Sequence, residues 1–84
     1  MIFPYKVGEV AEIQGVSFEK VKFTAIATCL MNPYITVVMA EMPYDGYVVF
    51  NWSMSEMAPF EVEFHEMSEF AASDYLCRAF NVNM

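Results

Sequence analysis

Two β-branched runs flanking Pro43-Tyr44-Asp45-Gly46 constrain this chain more than any other feature. Asp-Gly tolerates the positive φ that a tight hairpin requires. The flanking runs, residues 34–42 (YITVVMAEM) and 47–51 (YVVFN), have the Val, Ile, Tyr and Phe content of strands. The spacing predicts an antiparallel hairpin. Upstream, residues 20–30 alternate: Val21, Phe23, Ala25, Ala27 and Cys29 point one way, Lys22, Thr24, Ile26 and Thr28 the other. Met31-Asn32-Pro33 is a turn, because proline drives the preceding residue out of the helical region. Residues 6–13 alternate less cleanly and read as a first strand closed by Gly15.

Downstream, Ser53-Met54-Ser55-Glu56 fits a capping box, and Pro59 limits it to a single helical turn. Residues 60–64 alternate again, with Phe60, Val62 and Phe64 on one face and Glu61, Glu63 and His65 on the other. Met67, Phe70, Ala71 and Tyr75 have helical spacing, and the pair Asp74 and Arg78 at i, i+4 supports a helix within 66–80. An 84-residue chain has no room for a second core. The expectation is therefore one mainly β domain over residues 1–84: a small antiparallel barrel or curved meander sheet over 5–64, then a helical tail over 66–80. Apolar residues make up 57% of the chain, above the ~45–50% of an average soluble protein. That argues against disorder, and it requires some large side chains to lie at the surface. A contiguous patch of them would mark an interface.

Tyr5-Lys6-Val7-Gly8-Glu9-Val10 opens the β region, the three-strand meander follows, and Trp52-Ser53-Met54-Ser55-Glu56-Met57 precedes Phe60-Glu61-Val62. In this order of elements the chain resembles the small SH3-like β-barrel modules found in short phage-encoded proteins. The resemblance covers roughly residues 5–64 and implies a role in binding. Unlike nucleic-acid-binding barrels, this chain has no basic face, and its acidic helical tail is extra.

The charge is confined to one half. Residues 1–40 balance Lys6, Lys20 and Lys22 against Glu9, Glu12 and Glu19. The second half sets eight acids against Arg78 alone, giving the whole net charge of −7. Such a field repels nucleic acid and acidic membranes and attracts basic protein surfaces. The start of the chain has no basic, apolar signal pattern, and the uncharged run from Thr24 to Ala40 is broken by Asn32-Pro33, short of the ~20 apolar residues that span a bilayer. A cytoplasmic protein is expected (host cytoplasm if phage-encoded), with Cys29 and Cys77 reduced; an oxidising compartment would allow them to pair.

No cofactor or metal is expected. His65 with Glu61, Glu63, Glu66 and Glu69 lacks the ligand spacing of zinc or calcium sites. Cys77 beside Arg78 has no base assigned to it, and Gly8, Gly15 and Gly46 are too scattered for a phosphate loop. Catalysis is not expected. The candidate partner-binding residues are the aromatics near the hairpin, Tyr44, Tyr47 and Trp52, with Asp45, and the adaptable Met54 and Met57. Glu61, Glu63, Glu66 and Glu69 supply an acidic rim. Three roles compete: a module that blocks a basic host protein, a DNA mimic of the anti-restriction or anti-CRISPR type, and a homo-oligomer subunit, with homodimerisation also compatible with the first.

Overall fold

Five strands form one antiparallel sheet in the order β1-β2-β3-β4-β5, each paired with its neighbour in sequence. They are β1 (Val10–Ala11), β2 (Val21–Thr28), β3 (Ile35–Glu41), β4 (Tyr47–Ser53) and β5 (Ala58–His65). This computed structural model describes residues 3–29, 32–44, 46–65, 69–72 and 74. The sheet is open, with β1 and β5 at its ends, so the fold takes the meander form of the expected mainly β architecture. No helix among the described residues is long and apolar enough to cross a membrane.

The hairpin at the centre follows its sequence. β3 and β4 pair without interruption from Ile35↔Ser53 to Glu41↔Tyr47. Met42 N donates to Gly46 O at 3.1 Å, and Gly46 holds a φ of +114°, a conformation that glycine adopts without steric cost. Asp45 lies outside the described residues. At the other end, the Asn32 side chain accepts from Tyr34 N at 3.0 Å while its carbonyl accepts from Ile35 N. Asn32 thereby starts β3 by a side-chain turn. β4 runs two residues past the expected end, because Trp52 and Ser53 pair with Thr36 and Ile35.

Five consecutive residues of β3 and five of β4 are buried, so both faces of the sheet centre are covered. Val38, Ala40, Val48, Phe50 and Trp52 face a core completed by Val21, Phe23, Ile13, Val16 and Phe3. Phe3 anchors this layer by edge-on contacts to Phe23 and Trp52, each with ring centroids 5.2 Å apart. Val37, Met39 and Val49 face the other way, against Ala72. Ala72 belongs to the helical residues 69–72 and 74; the rest of the expected 66–80 helix lies outside the described residues.

Two bulges and one bend correct the strict alternation read from the sequence. In β2 the register shifts between Phe23 and Ala25, and Thr24 turns its hydroxyl to donate to Met39 O at 3.1 Å. Ala25 therefore packs with Val37 and Met39, whereas Ile26 joins the Phe23 core. In β5, Val49↔Glu63 and Asn51↔Phe60 leave Phe50 opposite both Glu61 and Val62. Phe60 is thereby moved to the Asn51 face, apart from Val62, and Phe64 is 58% exposed. The first strand is cut to two residues because the chain bends at Gly8 (φ +95°). Gly8 N and Glu9 O still bond Phe23, at 2.8 and 3.0 Å.

Phe23 is fully buried between two rings of the N-terminal segment, Phe3 and Tyr5. Phe23→Ala should destabilise the protein by about 3–5 kcal/mol, read as a lowered midpoint in urea unfolding.

Candidate functional site

The candidate residues do not gather in one patch. Trp52 is only 7% exposed and belongs to the core. Met57 is exposed and stands with Trp52 at one cleft. Tyr44 is 75% exposed at the far end of the hairpin. Tyr47 is half-buried on the helix-covered face, near the carboxylate of Glu69. Met54 is half-buried in the turn after β4, its amide donating to Tyr34 O at 2.9 Å. Glu63 is exposed on β5, and Glu66 lies outside the described residues.

Glu61 is not a free charge. The Asn51 side chain is buried, and its amide nitrogen donates to Glu61 Oε2 at 2.8 Å. A buried amide without a partner would cost about 1–3 kcal/mol. Glu61 meets that need from a left-handed backbone, φ +48°, which for a non-glycine residue is itself unfavourable. Reversing the charge of Glu61 would strand the Asn51 amide, so it would act on stability as well as on surface charge.

The capping box forms only in part. Glu56 N donates to Ser53 Oγ at 3.3 Å, yet residues 54–57 make a turn, with no helix. The turn closes at Met57 with φ +54°. Pro59 follows and packs its ring 3.5 Å from where a Cβ on Gly15 would stand. This contact sets the β4–β5 turn beside the loop that precedes β2. Between them lies a cleft of about 460 Å³ walled by Tyr5, Glu12, Gln14, Trp52 and Met57. The indole N–H of Trp52 and the hydroxyl of its cross-strand neighbour Thr36 are both buried without a hydrogen-bond partner.

The cleft continues along the loop. A second depression of about 360 Å³ shares Glu12, Gln14 and Gly15 with the cleft and adds Ser17 and Phe18. A third, of about 300 Å³, shares Ser17 and Phe18 and ends on Met42, Pro43 and Tyr44. Phe18 is 100% exposed between them. At the far end Tyr44 Oη donates to Glu19 Oε1 at 3.1 Å, and this bond, then the Glu19 charge, raises the phenol above its ordinary value of 10.0. Glu12 and Glu19 are the charged residues that line these three depressions. Sequence reasoning passed over Tyr5, Glu12, Phe18 and Glu19. The available signal was Phe18, a large aromatic stranded between Gly15 and β2 where no strand or helix pattern needs it.

Among the described residues no three His, Cys, Asp or Glu side chains are grouped to hold a metal ion. Cys29 is a buried free thiol, and Cys77 lies outside the described residues. Neither protein families, nor curated proteins, nor solved structures yield a match to this chain. The site's own chemistry must therefore carry the functional argument.

Met57→Gly should stabilise the protein by roughly 0.5–1 kcal/mol, because relief of the left-handed backbone exceeds the extra entropy of glycine; thermal melting checks this. A second expectation concerns alkaline pH. Partial burial, then the charges of Glu69 and Glu41, raise the Tyr47 phenol above 10.0. The folded state thus holds that proton more tightly than the unfolded chain. Stability is intact below pH 10 and falls as pH rises through and beyond that value. In urea unfolding between pH 8 and 11, Tyr47→Phe should flatten that fall.

Proposed function

We propose that this protein is an acidic interaction module that binds a basic surface of another protein and blocks it, as inhibitors encoded by phages do. The observation that supports this reading best is the arrangement of carboxylates. Glu56, Glu63 and Glu69 are all exposed, in the β4–β5 turn, on β5 and in the helix, while exposed Glu41 at the end of β3 stands opposite Lys22 of β2. No Lys or Arg stands among the described residues of that half. An excess of carboxylates of this kind raises the encounter rate with a basic partner and rejects acidic ones. The apolar side chains at Met57, Phe18 and Tyr44 then offer desolvated contact, which holds a complex after charge has steered it.

Capture of partners from host lysate tests this reading, with Glu56→Lys/Glu63→Lys beside the native chain. Both side chains are exposed, and neither holds Asn51, so melting should stay nearly constant. A basic protein should be retained by the native chain at low salt and largely at high salt, and weakly by the reversed variant. Retention that vanishes at high salt would point to DNA mimicry, whose contacts are exposed charge pairs. Equal retention by the reversed variant would remove the acidic surface from the function.

A further inference from the structure

We propose that the groove following residues 12–19, from Met57 and Trp52 to Tyr44, is the docking site for one extended basic segment of a protein partner. This rests on the reading of the protein as a module for basic partners, and it locates the contact on the loop rather than on β5. Three open depressions with lining residues in common follow one another along the loop, a layout that suits successive side chains of an extended segment better than a compact small molecule. Nine extended residues at ~3.3 Å each reach about 30 Å, close to the 31 Å longest dimension of the molecule.

The chemistry of the walls selects the segment. Their charges are Glu12 and Glu19, with no Lys, Arg or His. Lysine or arginine side chains from the segment meet these carboxylates and the faces of the exposed Phe18 and Tyr44 rings, where a cation is attracted by the π-system. Trp52 itself lines the cleft, so an occupant changes the surroundings of its indole ring. A second copy of this chain is a poor occupant, since each copy carries −7.

The test pans a yeast-displayed library of random nine-residue peptides against the full chain. Recovered peptides should be enriched in Lys and Arg together with apolar residues. Their binding should alter the fluorescence of Trp52, the single tryptophan. Affinity should fall about tenfold or more in Glu12→Gln/Glu19→Gln and in Phe18→Ser. Phe18 is fully exposed, so this variant should melt like the native protein. Glu56→Gln/Glu63→Gln should slow association modestly and leave dissociation unchanged. Basic peptides that respond only to Glu56→Gln/Glu63→Gln would overturn the groove while leaving the module for basic partners standing. Recovered peptides without basic enrichment would overturn both. Recovery of no peptide would overturn the groove, and lysate capture would decide the broader reading alone.

Discussion

The structure depends on burying the hairpin β3–β4 from both sides. Its inner residues alternate between two apolar faces, Val38, Ala40, Val48 and Phe50 on one and Val37, Met39 and Val49 on the other. Neither face can be left in water, at ~25 cal/mol per Å² of apolar surface. The chain covers them by different means. An irregular N-terminal segment lays Phe3, Ile13 and Val16 across one face, and helical residues lay Ala72 on the other. The cleft is a by-product of the first solution. A loop, unlike a helix, meets the sheet unevenly and leaves space between its own turns and the turn after β4.

Much of this was legible in the sequence, for particular reasons. The hairpin was readable because its turn residues act locally: Gly46 needs no tertiary context to favour a positive φ. The Asn32 turn was readable on the same ground. What could not be read were the bulges. Period-two patterning predicted Phe60, Val62 and Phe64 on one face, but one extra residue at Glu61 redistributes them. The signal lies in long-range chemistry, the need of buried Asn51 for an acceptor, and no local pattern encodes it. The two-residue β1 is a similar case, since its bend at Gly8 sits inside an apparently alternating run. The groove was partly legible: Tyr44, Trp52 and Met57 were singled out, yet the loop joining them was not. Loop 12–19 has no periodicity, and its role arises only when Pro59 packs beside Gly15.

Met57 and Glu61 are the described non-glycine residues with positive φ, the first in the β4–β5 turn and the second at the bulge of β5. For Glu61 the unfavourable backbone has a structural return, the hydrogen bond to Asn51. For Met57 the fold supplies no such contact. A residue kept in an unfavourable conformation at the lip of a cleft fits the general link between backbone strain and function. Its flexible thioether also suits a surface that must adapt to a partner.

The two covers differ in when they are made. Strand pairing in a nearest-neighbour meander can proceed from the amino terminus as the chain leaves the ribosome, at ~5–20 residues per second. The face bearing Phe23 and Phe50 finds its cover, Phe3 and Ile13, already synthesised. The face bearing Val37, Met39 and Val49 waits for Ala72, seven residues past the end of β5. The first layer can close as soon as β4 has paired, whereas the second stays bare until the helical residues have followed β5. A sheet that has formed but still lacks Ala72 shows Val37, Met39 and Val49 to solvent, and is the partly made form most exposed to aggregation and to chaperones.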